Sequence, residues 1–380
     1  MDSSLGYSSH VPGNQYVCMM VEAITLAYLA LYFSRYLLLP LTTVSSVSAR
    51  LLPLFLTGLG LLASANTPKA VEPRTRTFNF NYTTTVPAQA AGVREVDLWL
   101  PVPHDDKSQD IRDLKIEAPV PYEVKTSAYG NRVLHVHATG AALQGFTVSM
   151  KLQATRREHL NPTLAGQPVT RKMLEPADPN MSRWLAADSL VPLDPKIRLW
   201  AQEVVTRAKA TTNLEKAKAI YEHVVSTVTY DKTGQGWGRG DIYYACDARR
   251  GNCTDFHAVF IGYCRAVGIP ARFSIGFPLP PERGSAEVKG YHCWAEFYTK
   301  ETGWIPVDAS EAAKNPAKRA YFFGAHDENR LEFTRGRDLV LAPRQHGGTL
   351  NYFIYPYAEA DGQPLAGLQQ QFRVQDIPAK

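Results

Sequence analysis

The chain has 380 residues, enough for one large domain or two ordinary ones. Hydrophobic residues make up 45% and charged residues 20%, a balance that excludes general disorder. The net charge of +5 comes from scattered Lys and Arg without interleaved aromatics, which argues against nucleic acid as a partner.

Residues 1–65 read as a leader. The run LLPLFLTGLGLLASA, 51–65, follows Arg50 and closes on Ala63, Ser64 and Ala65. A basic residue, a short apolar core and a small-residue end describe a secretory signal over about 48–65, cut after Ala65. Export to the periplasm or exterior is therefore expected, and the run is shorter than the roughly 20 residues of a bilayer span. A second apolar run, 17–39, is broken by Glu22 and Arg35 and gives the alternative of a membrane anchor. A translation start at Val44 or Val47 would leave an ordinary signal peptide. Beyond this leader no membrane contact is expected.

Residues 66–157 carry a β pattern. Phe78, Phe80 and Tyr82 alternate with polar neighbours, as do Val96, Leu98 and Leu100, and Phe146, Val148, Met150 and Leu152. Short strands parted by Pro, Gly and Asp turns suggest a small antiparallel sandwich. Asp105, Asp106, Asp110 and Asp113 fit no calcium loop and read as a solvated connection. Residues 158–194, rich in Pro, Ala and Asp, read as a linker.

A core follows over 195–345. Ile197, Trp200, Ala201, Val204 and Ala208 form one helical stripe. Leu214, Ala217, Tyr221, Val224 and Val228 form another, with Asn213 as its cap. The loop GQGWGRGD, 234–241, matches no phosphate-cradling pattern and reads as a mobile segment beside a site. A third helix starts at Asn252, shows Phe256, Val259, Phe260, Tyr263 and Val267 on its apolar face, and stops at Gly268 and Pro270. The period then returns to two in ARFSIGF, YHCWAEFY and GWIPVDAS. Strands continue in LEFTRGRDLVLAP, NYFIYPY and QQQFRVQDI, with 346–380 completing the core. The class is α+β.

Four cysteines follow the leader, at 246, 253, 264 and 293. An even count suggests disulfides in an oxidising compartment, but all four fall in helix-like or strand-like text within one short stretch, which argues against pairing. Cys253 stands at or next to the first position of the third helix. A helix N-terminus stabilises a thiolate and offers N–H donors to a nearby oxyanion. Position alone balances a nucleophile against a packing residue. Cys246, Cys253, His257 and Cys264 lack the ligand spacing of a metal site, so no metal or other cofactor is expected. His257 shares a helix face with Cys253 but lacks an evident orienting group. His292 shares a strand face with Trp294 and Glu296, opposite Cys293, Ala295 and Phe297, and is free to look into a cleft. Asp308 ends a neighbouring strand and directly follows a hydrophobic run, where a carboxylate needs a partner.

These blocks carry a resemblance. GNCTDFHAVFIGYCRAVGIPARF, YHCWAEFY and GWIPVDAS, in that order, look like the transglutaminase-like superfamily. The resemblance implies a papain-like α+β core, its cysteine helix packed on an antiparallel sheet, behind a small β-sandwich-like domain. It implies Cys253 as nucleophile, His292 as general base and acid, and Asp308 as the group that holds the imidazole. The family's oxyanion stabiliser has no single match, leaving Gln235, Trp237, Tyr243 and Tyr244, with Trp294 as a cleft wall. No acidic loops of the kind animal members use for calcium are visible. The implied reaction is acyl transfer from an amide of a protein or peptide through a thioester, hydrolysis being favoured over transamidation. Alternatives are a protein-glutamine transamidase and a non-catalytic module that binds the cell envelope.

Overall fold

Period-two burial lays down the first strands. In Thr75–Val86, Phe78, Phe80 and Tyr82 point inward, and Phe146–Arg157 does the same with Val148, Met150 and Leu152. The two pair antiparallel along their whole length. The computed structural model describes residues 72–167 and 177–378. The signal-like segment, the run at 17–39 and Cys18 lie outside the described residues.

Two five-stranded antiparallel sheets make the sandwich. One runs Ser285–Glu287, Gln369–Asp376, Thr75–Val86, Phe146–Arg157, Gln109–Glu117; the other runs Gln363–Pro364, Tyr357–Ala360, Glu95–Val102, Arg132–Thr139, Tyr122–Thr126. The strands after residue 346 thus join the N-terminal sheets, pairing with Thr75–Val86 and Glu95–Val102, and not the cysteine-bearing core to which the sequence assigned them. An alternating pattern states that one face is buried but not which sheet edge receives the strand. The strand expected at 351–356 is a loop, although Phe353 and Ile354 are buried in it.

Four strands form the core sheet, in the order Gly303–Val307, His292–Thr299, Ala271–Pro278, Arg330–Arg335, all antiparallel. The helix Cys253–Ala266 packs on it, with Phe260 and Phe297 rings 6.1 Å apart. Every residue from Cys253 to Arg265 is buried, so this helix is covered all round and not on one stripe alone. Helices Pro195–Arg207, capped by Asp194, and Asn213–Thr227 cover it. The cap of the latter is Thr212, one residue before the expected Asn213. Glu215 reaches back to the Thr212 N–H while the Thr212 hydroxyl takes the Glu215 N–H, and that reciprocal box needs Glu at the third helical position.

Sandwich and core share one apolar cluster: Phe277 of the core sheet lies 5.3 Å from Phe80 and 4.3 Å from Phe372. The described residues form one compact unit. The expected linker is packed where it is described. The Asn161 side chain donates to the carbonyls of Thr302 and Trp304 at 3.1 and 3.2 Å, and Trp184 is buried beside Trp304. Cys246, Cys253, Cys264 and Cys293 are all free thiols. Among the described residues no helix is long and apolar enough to cross a membrane.

Candidate active site

The start of the cysteine helix is fixed by hydrogen bonds before any partner arrives. Asn252 Oδ1 accepts from the Thr254 N–H at 2.9 Å. The Asp255 carboxylate accepts from Asn252 N at 2.9 Å, Gly238 N at 2.7 Å and Gly240 N at 3.0 Å. The glycine-rich loop is thereby tied to the first helical turn. Arg337 also holds it, donating to the carbonyls of Arg239 and Gly240. Gly251 is required here, because a Cβ would sit 2.2 Å from Asp255 Oδ2. Cys253 consequently occupies the first helical position, at the positive end of the helix dipole, and is 2% exposed.

His292 opens the adjacent strand. Its Nε2–H donates to Asp308 Oδ2 at 2.7 Å, and the same ring lowers the pKa of the Cys253 thiol. Asp308 is wholly buried and uses both oxygens. Oδ1 accepts from the Ser310 hydroxyl at 3.1 Å and the Glu311 N–H at 3.0 Å, capping Ala309–Lys314, while Oδ2 also accepts from Arg330 at 3.1 Å.

Charge alternates through this row, and the ionisations follow. Burial alone would raise the Cys253 pKa, but hydrogen bonds from Cys293 and His292 and the imidazolium charge hold it well below the ordinary thiol value. Burial would lower His292, yet Asp308 and the Cys253 sulfur bring it up to about 10. Burial would raise Asp308, and His292 with Arg330 keeps it well below the carboxylate range. The arrangement favours a thiolate–imidazolium pair, which is a nucleophile beside a proton donor.

The other sequence candidates lie elsewhere. Gln235 is exposed in the loop, and Trp237 donates to Gly234 O at 3.2 Å. Tyr243 is bonded to Asp194 and stands edge-on to Trp200, at a junction between helices. Tyr244 packs against Gly236. Trp294 is 1% exposed and lies behind His292, 5.9 Å away, so it supports the imidazole and is not a cleft wall. His292 is itself buried, because the strand face it shares with Trp294 and Glu296 is covered, Trp294 by His326 and Arg330 and Glu296 by Arg272.

Four tyrosines that the sequence reading missed gather around the thiol. Tyr230, Tyr291, Tyr352 and Tyr355 all feel the Cys253 charge. Tyr291 Oη accepts from Asn252 Nδ2 at 3.0 Å, and its ring lies 5.5 Å from Tyr352 and 5.9 Å from Tyr355. Tyr291 precedes His292 directly and was legible by adjacency; the other three arrive from distant segments and carry no local signal.

Among the described residues, the set Cys246, Cys253, His257 and Cys264 does not converge. Cys246 instead faces the Tyr263 hydroxyl at 3.4 Å. His104, Asp106 and Glu332 do bring ligand atoms within 4.8 Å of one another. There Arg335 already pairs with Asp106 at 2.9 Å and Glu332 at 2.5 Å, and the Arg156 charge acts on both carboxylates, so the cluster is an ion-pair network.

Residues 198–309 match the transglutaminase-like superfamily. An uncharacterized protein of Haemophilus influenzae is 28% identical over 356 residues, which cover 82% of this chain and 93% of that one. YebA of Bacillus subtilis is 25% identical over 118 residues, 27% of this chain and 16% of its own. A candidate cysteine protease from Cytophaga hutchinsonii superposes with a TM-score of 0.52 at 16% identity, over 81% of this chain and 92% of its own, which is a likeness of fold. The chain therefore carries a transglutaminase-like core, α+β in class, at residues 198–309.

Proposed function

We propose that the protein is a cysteine-dependent acyl transferase acting on amide bonds of proteins or peptides, with water as the favoured acceptor. The observation that carries this reading is the buried row Cys253, His292, Asp308, with Nε2 of His292 2.7 Å from Asp308. In this scheme the Cys253 thiolate attacks the carbonyl carbon, and the oxyanion forms at the positive end of the helix. The C–N bond breaks as His292 gives its proton to the leaving amine, leaving a thioester. His292 then takes a proton from water, the new hydroxyl attacks the thioester, and the C–S bond breaks to restore thiolate and imidazolium. Asp308 holds the ring and balances its charge. Water needs no second binding site, and this supports hydrolysis over amine transfer. Export rests on the apolar segment at 51–65, and N-terminal sequencing of the secreted protein tests it.

The test of the activity is incubation of the protein with a peptide library, with and without a primary amine, and mass analysis of the products. Cleaved peptides gaining the mass of water are expected, and Cys253→Ala should abolish them while leaving the fold intact. Turnover retained by Cys253→Ala would sink the mechanism, and products that gain the amine would replace hydrolysis with transamidation.

A further inference from the structure

His257 has no step in the scheme above, yet both of its ring nitrogens are committed. Nδ1 lies 2.7 Å from the Cys253 carbonyl oxygen and Nε2 lies 3.2 Å from the Ala309 amide. The ring is fully buried. A carbonyl only accepts and a backbone amide only donates, so these partners select one state: Nδ1 protonated, Nε2 bare, the ring neutral. Burial acts in the same direction by lowering the pKa. Asp308 Oδ1 is 3.8 Å from Nε2 and Cys293 Sγ is 3.8 Å from Nδ1, both longer than the two backbone bonds.

The two groups joined are significant by position. One is the carbonyl of Cys253 itself; the other is the amide of the residue after Asp308. The cysteine helix and the turn after strand Gly303–Val307 come from separate parts of the chain. The distance between them sets how the thiol meets the His292–Asp308 pair.

Resting on the acyl-transfer reading, we propose that His257 is a positioning residue: a neutral imidazole brace that bolts the first turn of the cysteine helix to the Asp308 turn and so sets the spacing of thiol, imidazole and carboxylate. A purely packing histidine would depend on volume alone. The brace depends on a donor and an acceptor set on one planar group. His257→Met keeps bulk and loses both bonds, whereas His257→Gln retains a donor and an acceptor.

The test is the pH dependence of iodoacetamide alkylation at Cys253, read by peptide mass in the full chain. His257→Met should move the thiolate midpoint up by about one pH unit, a rate loss of about tenfold at the acid end. His257→Gln should stay near wild type. A His257→Met profile that coincides with wild type, with only the melting temperature lowered, overturns the brace alone. If wild-type Cys253 labels as slowly as the mid-helix Cys264 in mild acid, the acyl-transfer reading fails and the brace with it. Should His257→Met fail to fold, nitrogen NMR of the wild-type imidazoles decides. Protonated Nδ1 with bare Nε2 near neutral pH is expected, and the opposite tautomer or an imidazolium overturns the proposal.

Discussion

Two buried groupings in the core have the same parts and different behaviour. In one, Arg330 and His292 meet Asp308, and the guanidinium lies 4.8 Å from the Trp294 ring. In the other, Arg272 at 2.5 Å and His159 at 3.5 Å meet Glu296, and the guanidinium lies 4.1 Å from the Trp304 ring. Each is an arginine stacked on a tryptophan, a carboxylate and a histidine. The difference is the thiol. His292 has the Cys253 sulfur on its other side, at a helix N-terminus, so its proton has somewhere to go. Arg272 and Glu296 face each other across paired strands as a permanent ion pair. A carboxylate–imidazole contact is therefore common structural currency, and what marks a reactive site is the third group and its field.

Substituting the two carboxylates would give the largest contrast. Asp308→Asn can still cap Ala309–Lys314 but loses the charge opposite His292, and turnover should fall about a thousandfold or more. Glu296→Gln should keep turnover and instead lose about 3–5 kcal/mol in urea unfolding, because a buried ion pair to Arg272 is broken from one side. An equal loss of turnover in both variants would erase the distinction.

The pH profiles should separate the groupings next. Turnover should rise as Cys253 ionises, well below the ordinary thiol range, and fall as His292 loses its proton at about 10. Asp308→Asn should shift the alkaline limb downward, since the imidazolium has lost its carboxylate. A limb that stays in place would remove Asp308 from its role. At the other grouping, burial would raise Glu296, but the Arg272 and His159 charges hold it down to about 2. Its folded pKa is depressed, so its stabilisation is complete above the usual glutamate range and is lost as pH falls toward 2. Acid unfolding of Glu296→Gln should lack that component. Acid profiles that run parallel would show that the pair contributes nothing there.

The smallest effect is expected at His159, 19% exposed at its side chain and 3.5 Å from Glu296. His159→Ala should cost within about 1 kcal/mol in urea unfolding, as partly solvated pairs do. A larger loss would make the second grouping a true three-body unit.

How much of this was legible follows from range. The Asn252 cap, the cysteine after it and the Gly268–Pro270 stop are local signals, and the helix lies where they put it. The strands at 271–278, 292–299 and 303–307 follow from alternation and turn residues. Arg330, which shares Asp308 Oδ2 with His292, gave no sign, since an arginine in a strand reads as a surface residue. Asp255 sits in the first helical turn, and its hold on Gly238 and Gly240 appears only when the loop folds over it. The partner sheet of the last strands was equally hidden.

The sequence by itself determined where the cysteine helix and the three strands after it lie and which residue types they carry, because capping, periodicity and turn chemistry act over a few residues. Only the tertiary structure decided which charge each nearby histidine carries. Both His257 and His292 are buried beside the thiol. One is held neutral by a carbonyl and an amide, while the other gains charge from a carboxylate and a sulfur. Protonation is set by what surrounds a ring in space, and those neighbours come from distant parts of the chain.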